Sequence, residues 1–280
     1  MAVFLGLAAA LSYGAADFVG GFSTKKANVF IVVFVSQMAG TLLLLALFPA
    51  LNDAAATSKA LLWGGAAGLG GGVGVVLLYR GLAGGRMSVV APITAVEAAA
   101  VPVLVGLATG ERPSGLALAG VAVALVSVVL VSSSPHAEYA RPAGIPAGVL
   151  EAVGAGIAFG LFFVFLAHAG RDTGAWPLIG TKIVSVVFVA VMIAVTRPSW
   201  RVSRATLRTI ILAGVLDLSA NVLYLAGSRR GLLSIVAVLT SLYPATTVVL
   251  ARIVLKERFS STQLTGLVCA LVGIVFMASG

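Results

Sequence analysis

Apolar residues run along this chain in blocks of about twenty, the length that crosses a roughly 30 Å bilayer core as an α-helix. Short clusters of Gly, Pro, Ser and charged residues separate the blocks. The pattern predicts ten membrane-spanning helices, over residues 2–22, 28–50, 58–80, 87–108, 115–133, 147–168, 175–196, 207–227, 232–254 and 261–279. The connections are too short to hold a sizeable soluble domain, and the longest is a polar, Pro-containing linker over 135–146. Any activity is therefore expected within the membrane.

The chain also matches itself. Shifted by 146 residues, 1–134 falls on 147–280 without a gap, and between 88–133 and 234–279 there are 17 identities in 46 pairs. Apolar bias inflates such a count, but it does not produce a paired Glu-Arg-x-Ser, at Glu111, Arg112, Ser114 and again at Glu257, Arg258, Ser260. Other pairs are Ser88/Ser234, Thr94/Thr240, Gly14/Gly160, Gly68/Gly214 and Gly120/Gly266, while Tyr13 is set against Phe159. The expected organisation is a five-helix unit over 1–134, the linker, and a second unit over 147–280. An odd number of spans per unit turns the second copy upside down relative to the first. Inverted repeats of this kind recur in secondary transporters, where two similar halves open a central site to either side in turn.

Composition sharpens the class. With 60% hydrophobic and 10% charged residues and a mean hydropathy of +1.12, the chain is an all-α integral membrane protein rather than a soluble domain. A net charge of +9 would suggest nucleic acid in a soluble protein. Here Lys and Arg cluster at span ends, as at Lys25, Lys26, Arg229 and Arg230, so the expected partner is membrane lipid and not nucleic acid. The lone Cys269 excludes an internal disulfide. The first apolar block lacks a basic leader and has a counterpart in the second half, so it is read as a retained span. Twelve basic residues fall on odd-numbered loops and five on even ones; by the positive-inside rule both termini then lie outside.

The stretches from Pro92 to Glu97 and Gly110 to Ser114, and from Leu239 to Pro244 and Lys256 to Ser260, resemble the EamA domain of the drug/metabolite transporter superfamily. Tyr13-Gly14 and Phe159-Gly160 stand where that family often has Trp-Gly. The resemblance covers the whole chain as two tandem domains. It implies a transporter of a small metabolite in the cell membrane with cytoplasmic termini; members of the family export amino acids, drugs and diverse metabolites or import sugars, and export is the expected direction here. The predicted and implied orientations of the termini thus disagree. Ala98 stands where the second copy has Pro244, which leaves the kink of the fourth span to Pro92 and Pro102.

Candidate chemistry lies in the intramembrane acids. An ionised side chain at the bilayer centre costs about 2.5–3.5 kcal/mol even on insertion scales. Glu97 and Asp217 fall near mid-span, Asp17 and Glu151 nearer span ends. None has an acidic repeat mate, which suits asymmetric work such as recognition of substrate or proton. Asp217 and Asn221 share a helix face, as do Tyr13 and Asp17. Pro244 removes an N–H that would bond Thr240, so a kink is expected there that turns Thr240 and Tyr243 inward. The Glu-Arg-x-Ser clusters are expected to be structural turns, with Ser114 and Ser260 as helix caps. Lys182 is expected to snorkel to the headgroups. No catalytic motif or metal spacing occurs, so neither an enzyme, a metal nor another cofactor is expected. The leading reading is a secondary transporter, proton-coupled or running downhill; a non-transporting scaffold and, behind it, an intramembrane enzyme are the alternatives.

Overall fold

The computed structural model describes residues 1–52, 54–84, 87–132, 148–170, 172–255 and 260–279. Among these the chain is entirely helical and turn, in eleven helices: α1 (Ala2–Thr24), α2 (Val29–Leu51), α3 (Ser58–Gly84), α4 (Met87–Ala108), α5 (Gly115–Ser132), α6 (Val149–His168), α7 (Trp176–Thr196), α8 (Arg204–Ser228), α9 (Leu233–Thr240), α10 (Tyr243–Leu255) and α11 (Ser261–Ser279). The linker 135–146, with Glu257 and Arg258, lies outside the described residues. Helix starts carry their own caps. Asn28 Oδ1 accepts from Phe30 N (3.0 Å) ahead of α2, and Ser203 Oγ accepts from Thr206 N (3.1 Å) ahead of α8.

The expectation of a single helix over 232–254 needs correcting. This segment is two helices, α9 and α10, with Ser241 and Leu242 between them. Pro244 has no N–H to bond the Thr240 carbonyl, so the ladder stops one turn before it. By contrast α4 runs as one helix across Pro92 and Pro102.

Six helices, α1, α2, α3, α6, α7 and α8, are long and apolar enough to cross a bilayer on length and composition alone. Ile93–Ala108, Gly115–Leu130 and Ser261–Met277 are shorter apolar stretches. Large apolar side chains point outward all round the bundle, among them Leu62, Leu104, Leu150, Val195 and Leu271. In water such a surface would aggregate; in hydrocarbon it is the solvated face.

The two halves interlock rather than lying side by side. Helices of one half pack chiefly on those of the other: α1 on α8, α3 on α6 and α7, α4 on α6, and α5 on α11. Individual contacts come in pairs exchanged by the 146-residue shift. Thr94 Oγ1 donates to Ala152 O at 3.2 Å, and its mate Thr240 Oγ1 lies 3.5 Å from the Gly6 carbonyl, the mate of Ala152. Likewise Gly120 meets the backbone of Gly273, while Ser127 Oγ donates to Gly266 O at 2.8 Å. A contact and its swapped counterpart are what a two-fold relation between the halves produces.

Small residues set how close the helices come. A Cβ on Gly68 would run into the Thr181 carbonyl of α7, and one on Gly214 into the Ser36 carbonyl of α2. Backbone approach of this kind replaces the hydrophobic driving force that lipid does not supply between helices. Where the helices spread apart they leave a cavity between α1, α3, α6 and α8.

Candidate functional site

That cavity is about 80 Å³, several times what one water molecule requires. Gln37 of α2, Thr181, Lys182 and Ser185 of α7, and Tyr243 of α10 complete its lining. A buried polar group needs partners, and most groups here have them. Tyr13 Oη donates to Asn221 Oδ1 at 3.1 Å, and Asn221 Nδ2 donates to the Asp217 backbone carbonyl at 2.6 Å, one turn back on α8. Lys182 Nζ donates to Asp217 Oδ2 and to Gln37 Oε1, each at 2.8 Å.

Lys182 corrects the expectation of a snorkelling side chain. Its side chain is 2% exposed, against 28% for Asp217, so the ammonium is the enclosed partner and the carboxylate the one open to the cavity. Two features hold it there: the Asp217 charge, and the absence of a side chain at Gly40, where a Cβ would come within 3.1 Å of Nζ. A cation in mid-span is costly unless an acid or carbonyl meets it. A lone Lys inside an apolar block was therefore a readable signal, and pairing it with one of the intramembrane acids was the inference to draw. Gln37 carried a weaker signal of the same kind.

Asp17 differs from its neighbours. Its side chain lines the cavity, yet among the described residues its carboxylate makes no hydrogen bond and no ion pair. It lies one turn beyond Tyr13 on the same face of α1, and Tyr13 in turn meets the Phe163 ring edge-on, centroids 6.0 Å apart.

The walls of the cavity follow the repeat. Shifted by 146 residues, Tyr13 becomes Phe159, Asp17 becomes Phe163, Gly71 becomes Asp217 and Val75 becomes Asn221, and all eight side chains or glycines line this one cavity. It therefore straddles the relation between the halves. In every pair the polar member stands on α1 or α8, which pack together, and the apolar member on α3 or α6, which also pack together. One wall is polar and carries the acids, the other is aliphatic and aromatic.

Of the seven candidate pathway residues, Tyr13, Asp17, Asp217, Asn221 and Tyr243 thus meet at the cavity. Thr240 does not. Its hydroxyl is fully buried and donates back to Val236 O at 2.8 Å, beside α1. Glu97, the repeat mate of Tyr243, is half-buried where α4 crosses α6, with its Cβ against Gly156, outside the lining of this cavity. Glu151 lies in the first turn of α6, where a carboxylate complements the helix dipole.

Of the two Glu-Arg-x-Ser turns, the described residues Glu111, Arg112, Ser114 and Ser260 are not part of the cavity lining. Ser114 Oγ accepts from Ala117 N at 3.0 Å; Ser260 and Gln263 bond each other's backbone N–H, both at 3.1 Å. Arg112 Nη1 donates to the Glu111 carbonyl at 2.9 Å. The Glu111 side chain reaches across to the other half. Its carboxylate accepts from Leu233 N (2.5 Å), Ser234 N (3.0 Å) and Ser234 Oγ (2.6 Å), capping the start of α9. A shared Glu and Ser at both repeat positions hinted at a common role, but nothing local indicated a bond between halves.

Comparison with known proteins agrees with this architecture. A solved structure described only as "Crystal structure of protein" superposes with a TM-score of 0.81 over 98% of this chain and 95% of its own, at 14% identity, which is a likeness of fold. No curated protein matches the chain. The model of the EamA-like transporter family matches residues 1–133 and again 146–279, so the chain belongs to that membrane-transporter family, as two tandem copies.

Proposed function

We propose that this protein is a secondary transporter of ten membrane crossings, the α9–α10 pair counting as one, that exports a small metabolite from the cell. Two inverted five-helix units, 1–134 and 147–280, enclose one substrate site that faces either side of the cell membrane in turn. The observation that carries this reading is the cavity lined by four pairs of repeat mates. A site on the relation between two halves is equally near both membrane faces, so small relative movements of the halves suffice to open it to one face or the other. Asp217, Asn221, Tyr13, Asp17 and Tyr243 supply the polar contacts for substrate. Glu97, at the α4–α6 crossing, is placed to take up or release a proton if transport is proton-coupled.

The test is flux. Protein reconstituted in proteoliposomes is expected to move at least one member of a panel of small polar and amphipathic metabolites with saturation. Asp217→Asn and Glu97→Gln are expected to lose most of that flux while inserting normally. Absence of saturable flux across the panel would refute transport. Unchanged flux in both variants would remove the two acids from the pathway.

A further inference from the structure

Charge in the cavity does not balance. Asp217 is matched by Lys182, whose ammonium is held at 2.8 Å and further committed to Gln37. Among the described residues lining the cavity there is no second cation, and Asp17 opens into it with no partner among them. When Asp17 is ionised, the site carries one net negative charge inside an apolar bundle. An unpaired carboxylate in such surroundings is strongly disfavoured, and a bound group of opposite charge relieves it.

We infer that the substrate is an organic monocation with an apolar, ring-sized body, its ammonium seated on Asp17 and its body against the wall formed by Phe159, Phe162 and Phe163. Translocation of such a ligand rests on the transport reading, whereas its binding stands on the cavity alone. Each part of the ligand answers to one wall. The carboxylate of Asp17 attracts a positive charge, and the phenylalanine rings that line the cavity can take up the body of the ligand. The apolar mates on α3 and α6, Gly71, Val75 and the phenylalanines, offer hydrogen bonds to nothing and so select for hydrocarbon. A zwitterion fits less well. Its carboxylate would have to compete with Asp217 and Gln37 for a lysine that is 2% exposed, and the site would keep its excess negative charge. An anion would double that excess.

Three ligands with one aromatic body decide the matter: phenethylammonium, phenylalanine and 3-phenylpropionate, which carry a charge of about +1, 0 and −1 near neutral pH. Their equilibrium binding to the detergent-solubilised full chain is measured by calorimetry. The cation is expected to bind at least about tenfold more tightly than the zwitterion, the yield of a charge-assisted contact in a partly desolvated site, and the anion more weakly still. Asp17→Asn is expected to bring the three within about threefold of each other, and Asp17→Glu to keep the order. Equal or reversed affinities in the wild-type protein, no measurable binding of the cation, or an Asp17→Asn variant that keeps the preference would each overturn the inference. The transport reading fails separately: the expected binding order with no flux for any metabolite refutes transport and leaves the ligand class standing. Saturable flux of zwitterions without cation binding does the reverse.

Discussion

Replacing Lys182 by Met, Asp217 by Leu, or both together tests the ion pair at the cavity, because the two single changes leave different charges behind. Removing one partner of a buried pair costs about 3–5 kcal/mol, since the other is stranded in a medium that solvates it poorly. The structure makes the two cases unequal. Asp217→Leu strands an ammonium that is 2% exposed and has only the Gln37 amide oxygen left, so the full cost of about 3–5 kcal/mol is expected. Lys182→Met strands a carboxylate that is 28% exposed and lines the cavity, which should lower the cost to about 1–3 kcal/mol. The double variant leaves no charge and swaps two side chains for apolar ones of similar volume. Such replacements are often neutral, so it should fall at least about 2 kcal/mol short of the sum of the singles. Reversible unfolding in mixed micelles reads all three. A Lys182→Met variant less stable than Asp217→Leu, or strict additivity, would show that burial does not govern this pair.

Two further changes probe contacts between the halves. Glu111→Ala removes three hydrogen bonds from the start of α9, and about 1–3 kcal/mol of local stability should go with them. Hydrogen exchange by mass spectrometry should show faster labelling confined to the first turn of α9; unchanged protection there would mean that water or another group caps the helix equally well. Gly214→Ala drives a Cβ into the Ser36 carbonyl and should cost about 1–3 kcal/mol through overpacking. Gly21→Ala, in α1 with nothing within 4 Å of the new atom, should be neutral or stabilise by up to about 1 kcal/mol on helix propensity. Equal unfolding midpoints for the two glycine variants would refute the close approach.

Helix positions were legible because apolar length and polar breaks are local. The block at 261–279 is α11 residue for residue, and that at 175–196 is α7 but for one residue. The relation between halves was legible because the duplication left a constant offset, visible in pairs such as Thr94/Thr240 that now make equivalent contacts. Side-chain partnerships were not. Lys182 and Asp217 are on different helices, and pairing them depends on how α7 and α8 each pack against α2 at Gly40, a tertiary fact. Hydropathy alone sent that lysine to the headgroups. Thr240 does face the interior, as the break at Pro244 suggests, but its hydroxyl bonds its own helix beside α1 and is not part of the cavity lining. Asp17 looked close to a span end by counting residues, yet the neighbouring helices part beside it, and only the packing reveals that.

The interruption between α9 and α10 has a mechanical consequence. At the joint, the amides of Ser241 and Leu242 bond back to Ala237 and Leu239, and that of Ala245 bonds Leu242. Proline at 244 has nothing to donate, and among the described residues no backbone bond joins α9 directly to α10. Upstream, α9 is anchored by the Glu111 carboxylate; downstream, the first residue of α10 is Tyr243, which forms part of the cavity wall. The two pieces of this span are thus fixed separately: α10 is tied to α1 through Thr247 Oγ1, which donates to Gly14 O at 3.0 Å, so the place of the phenol in the chamber is set by α1 and not by the direction of α9.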